Sequence, residues 1–294
     1  MNERFEVVGI RPLPDPPARR RRWYEGKPLF SAGVLALIVL GCLLLPLMGT
    51  RDPSYMDLAR CGVPPCGEFL FGTDAMGRDI FSMIWYGGRL SLFIGLAAAL
   101  LSAAIAILFG AVSGCAPAWL DGLLMRLTEI LLSVPNLLVI VLLQAVLGKA
   151  SVLSIALVIG VTSWTGMAKI VRTEVRQIRA SEYVLASRCM GGGFFYILWR
   201  HLTPNFVSSI MFMAVMNVRS AIAAESTLSF MGIGLPVEVV TWGSMLSLSE
   251  KALLSGDWWI ILIPGGFLVA ALLCITSLGS CLRRNINRRE NNLY

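Results

Sequence analysis

Five stretches of this chain, residues 29–48, 90–114, 131–148, 150–168 and 258–282, contain no Asp, Glu, Lys or Arg. Each is 18 to 25 residues long, enough for a helix to cross a hydrocarbon core of about 30 Å. A sixth, 204–234, is apolar apart from Arg219 and Glu225. Backbone in lipid has to satisfy its own hydrogen bonds, so runs of this length dictate helices. Charged residues make up 15% of the whole, well under the roughly 25% of soluble domains. The expectation is an all-α membrane protein with six transmembrane helices in one domain, 29–282. A basic, proline-rich tail at 1–28 and a short tail at 283–294 flank it.

The arginines at 19–22 precede an apolar run, as in a signal peptide. That run is about 20 residues, against 7–15 for a signal h-region, and no small-residue cleavage site follows it. RRRRWYEG also lacks the surroundings of a twin-arginine signal. The reading is an uncleaved anchor. With the N-terminus inside, 17 of the 25 Lys and Arg fall on the N-tail, the 115–121 turn, the 169–203 segment and the C-tail, and 5 on the outer loops. This bias predicts a multi-pass protein of the cytoplasmic membrane with both termini cytoplasmic. The net charge of +7 then reflects topology, and no nucleic acid is needed to explain it.

Several local readings follow. Trp85 and Tyr86 are expected as headgroup-level anchors, as are Trp242, Trp258 and Trp259 on an interfacial outer segment. Gly110 and Gly114 form a small-xxx-small pair that suits packing inside the bundle. Pro135 is expected to kink the third span. Arg126 and Glu129, three apart, are expected to pair near Asp121. Lys169, Arg172, Arg176 and Arg179 fall at helical spacing, a basic face toward headgroups. The seven cysteines make no metal pattern; Cys61 and Cys66 fit either a small outer-loop disulfide or two free thiols. The single histidine, His201, cannot build a metal site alone.

The polar insert EYVLASRCMGGGFFYILWRHLTPN, residues 182–205, breaks the apolar pattern. Ser181 suits an N-cap, the glycines at 191–193 stop a short helix, an aromatic segment returns to the membrane, and Pro204 opens the next span. Such an insert holds a short helix rigidly below the bilayer.

This segment resembles the "EAA" loop of ABC importer permeases, whose coupling helix docks on a cytoplasmic ATPase subunit. The chain as a whole is similar to the peptide/nickel/opine permease family, on its second-permease branch of dipeptide and oligopeptide C-type proteins. The outer GTDxxGRD pattern appears as Gly72, Thr73, Asp74, Gly77, Arg78 and Asp79. The DxxLMR and FP patterns appear at 121–126 and 134–135, AExxLSFLGLG as AESTLSFMGIG at 224–234, and WGxML at 242–246. One departure stands out: the family's acid followed by two alanines is Leu185, Ala186 and Ser187 here, a variant that some metal-importing members share.

The resemblance implies a permease subunit of an ATP-driven importer of di- or oligopeptides, with nickel or a metal chelate as the alternative. The coupling contacts would be Glu182, Tyr183, Ala186, Ser187 and Gly191. Partners would be a second permease, two ATPase subunits and an extracytoplasmic binding protein. The chain has no GxxxxGK[ST], so ATP is handled by the partners, and it needs no cofactor and is not an enzyme. Arg219 and Glu225, as charges within a span, are candidates for the translocation path. A secondary transporter would be expected to carry an internal repeat, and none is evident.

Overall fold

Asp79 starts the longest helix. Its carboxylate accepts the Ser82 N–H at 3.1 Å and the Ser82 hydroxyl at 2.6 Å, an N-cap. Helix α2 then runs Ile80–Cys115, 36 residues, or about 54 Å at 1.5 Å per residue. The structure is a computed structural model. It describes residues 28–47, 49, 51–148, 150–191, 203–236, 238–248, 252 and 256–291, without the side chains at 183, 185, 186, 188, 203–209 and 285–291. The aromatic return segment expected at 194–199 and His201 lie outside the described residues.

The remaining helices gather round α2: α1 (Leu29–Leu44), α3 (Ala118–Ser133), α4 (Asn136–Leu147), α5 (Val152–Thr162), α6 (Thr165–Arg179), α7 (Glu182–Cys189), α8 (Thr203–Phe230), α9 (Trp242–Leu248) and α10 (Trp258–Asn291). Among the described residues there is no strand, only a bridge between Thr73 and Asp79. Along α2 the buried side is small: Gly87, Gly88, Ser91, Gly95, Ala98, Ser102, Ala106, Gly110 and Gly114 are among its buried residues. Lipid tails are as apolar as leucine, so membrane helices associate by close packing. A Cβ on Gly95 would lie 2.4 Å from Ile222, one on Gly110 2.6 Å from the Ala168 carbonyl oxygen, and one on Gly114 2.8 Å from Val175. Gly110 and Gly114 thus serve packing within the bundle, and α5, α6 and α8 all lie against this face.

Among the described residues, three helices are long and apolar enough to cross a membrane: Leu29–Leu47, α2 and the Trp258–Arg284 part of α10. The number rises to five if each of two bent pairs is one span. The third span is not the kinked helix expected of Pro135. Val134, held extended before the proline, and Pro135, which has no N–H to donate, end α3 outright, and α4 sets off at 88° to it. Residues 131–138, across this break, are all exposed. The fourth span also bends, by 45° between α5 and α6, where the Thr162 hydroxyl bonds back to the carbonyls of Val158 and Ile159, a contact that bends helices. Helix α8, 28 residues or about 42 Å, has the length to span and carries Arg219 and Glu225. Helix α10 continues past the expected boundary at 283.

The tryptophans depart from expectation. Trp85 is buried, edge-on to Phe81 and Phe267 with ring centroids 6.0 and 5.3 Å apart. Trp242 is fully buried and its indole N–H donates to the Ile84 carbonyl at 3.1 Å; that of Trp259 donates to Thr73 at 3.2 Å. These rings are core pieces, and α9 is tucked inside the bundle rather than lying at its surface; among the three outer-segment tryptophans only Trp258 is exposed. Arg89 caps α1 instead of facing solvent, its guanidinium donating to the carbonyls of Cys42 and Leu43 at 2.5 and 2.7 Å.

Replacing Gly110 with valine is expected to destabilise the detergent-solubilised protein by about 1–3 kcal/mol through overpacking against α6. Gly33→Ala, inside α1 where an added Cβ meets nothing within 4 Å, is expected to leave stability unchanged or raise it by up to about 1 kcal/mol. Thermal unfolding of the two variants side by side checks this.

Candidate functional site

Three polar clusters punctuate the apolar bundle. The first joins the segment leading to the insert to the core. Arg172 and Arg176, one turn apart on α6, both converge on Asp121 at the start of α3. Arg172 Nε and Nη2 donate at 2.5 and 2.6 Å, Arg176 Nη2 at 2.7 Å, and the Ser113 hydroxyl at the end of α2 at 2.6 Å. Arg179 donates to the Gly114 carbonyl at 2.9 Å. The basic face of α6 is thereby fastened to α2 and α3, Arg172 and Arg176 by ion pairs to Asp121 and Arg179 by a backbone carbonyl, contacts the headgroup expectation did not foresee. The hydrogen bonds from Arg172, helped by Ser113 and the Arg176 charge, hold the Asp121 carboxyl down to about 2. Arg126 pairs with Glu129 at 3.1 Å, as expected.

Beyond α6 the chain turns at Ala180 and Ser181, and α7 projects. Its first residue, Glu182, is exposed, while Val184 and Ser187 are buried against the bundle. Gly191 takes φ +85 just beyond the helix end, the left-handed stop glycine provides. Among the expected coupling residues, then, Glu182 and Gly191 are accessible and Ser187 faces inward; the side chains of Tyr183 and Ala186 lie outside the described residues.

The second cluster centres on Glu225, fully buried on α8. Oε1 accepts the hydroxyls of Thr241 and Ser229 at 2.8 and 2.9 Å, and Oε2 those of Ser91 and Ser226 at 3.4 Å. Thr241 in turn caps α9, exchanging bonds with Ser244 at 2.8 and 3.1 Å, and Ser91 accepts the Trp242 N–H at 3.2 Å. One carboxylate thus ties α2, α8 and α9. Arg219, six residues back on the same helix, is half-buried, and its Nε has no hydrogen-bond partner among the described residues. No salt bridge joins it to Glu225 among the described residues, in line with their different helical faces.

The third cluster is the GTDxxGRD motif, at the Glu225 end of α2. Asp74 accepts the backbone N–H of Met76 and Arg78 at 2.8 and 2.9 Å and the Arg78 Nε–H at 2.8 Å, and both side chains are buried. Gly77, at φ +74, sits so close that a Cβ would meet the Asp57 carbonyl at 1.8 Å; Gly72, at φ +76, presses on Val63 and Trp259. Only glycine fits such positions. Asp79 ends the motif by capping α2. Cys61 and Cys66, on the same loop, are free and exposed.

With this geometry in place, comparison with known proteins is decisive. A family model described as binding-protein-dependent transport system inner membrane component matches residues 106–291, more than half of the chain. The chain belongs to this family. It is 37% identical over 265 residues to the dipeptide transport system permease protein DppC of Bacillus subtilis, covering 90% of this chain and 82% of that one. It is 38% identical over 246 residues to the oligopeptide transport system permease protein OppC of the same organism, covering 84% and 78%. OppC of Escherichia coli K12 is 34% identical over 291 residues, 98% and 95% of the two chains. Membership makes this a membrane component of a transport system rather than a catalyst.

Sequence reasoning missed Asp121 as the anchor of α6, since the two arginines lie about 50 positions away. An acid just after the Pro117 turn and the arginines at 172, 176 and 179 at helical spacing were the available signals. Asp121→Asn is expected to cost about 1–3 kcal/mol by leaving charged donors underserved. The wild-type carboxyl lies below its ordinary value of 3.8, so its stabilisation is complete above that pH and is lost as pH falls through about 2. Acid unfolding of Asp121→Asn is therefore expected to lack the part of the decline that wild type shows between about 4 and 2.

Proposed function

We propose that this chain is one of two membrane subunits of an ATP-driven importer and passes di- and oligopeptides across the cytoplasmic membrane. The observation that carries this is its 34–38% identity, over most of its length, to dipeptide and oligopeptide permease proteins. Those names favour peptides over nickel. In this reading the chain crosses the membrane six times between 29 and 282, with the 1–28 and 283–294 tails and α7 on the cytoplasmic side. A second permease completes the path, two ATPase subunits supply the work, and a binding protein delivers substrate to the face bearing Gly72, Asp74, Gly77, Arg78 and Asp79. The hydrogen bonds and ion pair between Asp74 and Arg78, with the Asp79 cap, support a role in shaping the loop and starting α2.

The coupling mechanism follows from the clusters. The exposed side of α7, with Glu182 and Gly191 and the positions of Tyr183 and Ala186, meets an ATPase subunit. Ser187 and Val184 hold the other side of the helix to the bundle. ATP binding moves the ATPase subunits and therefore α7. Because α6 is fastened to α2 and α3 through Asp121 and Arg179, displacement of α7 is passed to α2 without slack. Within the bundle, Arg219 with its unpartnered Nε suits the path or an acid on the second permease. Glu225, enclosed by hydroxyls, serves the path indirectly by holding α8 and α9 to α2.

The test is ATP-dependent uptake of labelled dipeptide, labelled tripeptide and Ni²⁺ by the complete transporter in proteoliposomes. Peptide uptake is expected, and uptake of Ni²⁺ alone would overturn the substrate reading. Glu182→Ala combined with Gly191→Val is expected to reduce copurification of the ATPase and uptake at least tenfold. Arg219→Ala is expected to lower uptake with little loss of stability, whereas Glu225→Ala is expected to cost about 1–3 kcal/mol by stranding buried hydroxyls. Unchanged uptake in both, at equal expression, removes these residues from the path.

A further inference from the structure

Where α1 begins and α10 nears its end, a groove of about 570 Å³ lies between α1, α8 and α10. Leu29 and Leu35 of α1, Val215 and Val218 of α8, and Ile275 and Leu282 of α10 line it, with Leu29 exposed at its edge. From Leu29 to Leu35 the helix advances about 9 Å at 1.5 Å per residue. Nearby, the Ser31 hydroxyl donates to that of Ser277 at 3.0 Å and ties α1 to α10. At one end of this apolar groove the chemistry changes. Arg283 and Arg284, the two residues after Leu282, are exposed. The Arg283 guanidinium lies 5.5 Å from the centre of the Phe212 ring, three residues before Val215 on α8. The sequence on both flanks is basic: residues 19–27 and 283–290 hold nine Lys and Arg against two acids.

We propose that this groove holds an acyl chain of an anionic phospholipid whose phosphate is bound by Arg283 and Arg284. An apolar channel that ends at two guanidinium groups repeats, in order, the tail and headgroup of such a lipid. Arginine suits phosphate because its planar fork donates two parallel hydrogen bonds, and basic segments beside membrane helices attract anionic lipids. A zwitterionic lipid offers the same tail, but its headgroup cation sits beside the phosphate and is repelled by the arginines. The second permease is a poorer occupant. The exposed α3–α4 break would need protein or water against it at membrane depth, and α3 and α4 pack on α2, α5 and α6, whereas α1 packs on α2 and α10. A lipid seated here would join α1 and α10 to α8, the helix that carries Glu225. The inference needs only the membrane character of the chain and is independent of its substrate; the placement proposed above for the tails would set the site in the cytoplasmic leaflet.

The test purifies the complete transporter, strips it of lipid in detergent, and titrates it with phosphatidylglycerol or phosphatidylcholine. Lipids retained on this subunit are counted by native mass spectrometry. Wild type is expected to bind phosphatidylglycerol about tenfold more tightly than phosphatidylcholine. Arg283→Gln combined with Arg284→Gln is expected to abolish that preference. Ala32→Phe, at a lining position, is expected to fill the groove and weaken both lipids, whereas Arg51→Gln, on the outer loop, is expected to change neither. In native membranes, a photoreactive benzophenone amino acid in place of Leu29 is expected to yield a phospholipid adduct. Equal affinity of wild type for the two lipids, a preference that survives the double arginine variant, or unchanged binding in Ala32→Phe overturns the proposal. So does an adduct at position 29 to another subunit or to residues 1–27, which would name that protein segment as the occupant.

Discussion

Contact between helix backbones along the small-residue side of α2 is the constraint from which the rest of the structure follows. In hydrocarbon no hydrophobic drive brings helices together, so packing has to come from shape. Gly95 lets Ile222 of α8 approach, and Gly110 and Gly114 let α6 do so. Larger residues there would push both helices out. The polar clusters at either end of α2 could not form across the wider gaps.

Those clusters divide the work. Near the start of α2, Glu225 and the GTDxxGRD loop use short hydrogen bonds among buried groups to hold α2, α8 and α9 in one arrangement. Near its far end, Asp121 holds α6 by ion pairs. A buried acid surrounded by hydroxyls fixes geometry without a compensating cation. An acid meeting two arginines binds a helix that carries the coupling insert. One helix thus connects the proposed site of force with the end that bears the GTDxxGRD loop.

Much of this was legible in the chain and some was not, for physical reasons. The helical, membrane-type character of the chain was legible because runs of 18 or more uncharged residues suit apolar helices, but the runs at 131–148 and 150–168 are bent pairs, which charge content does not show. Glu225 was singled out as an intramembrane charge, but its partners at 91, 229 and 241 are ordinary serines and a threonine. The tryptophans misled because an indole suits an interface or a core equally well, and only the fold decides whether its N–H meets water or, as in Trp242, the Ile84 carbonyl. Pro135 signalled a disturbance, but the angle depends on how far the preceding residue swings into an extended conformation.

The break between α3 and α4 carries a consequence of its own. Residues 133–136 are exposed in the isolated chain and flanked by exposed leucines on both sides. Irregular backbone at membrane depth is tolerated only against protein or water. Placed at membrane depth, that flank would have to turn away from the acyl chains and would act as a compass, fixing which way the subunit faces about the membrane normal.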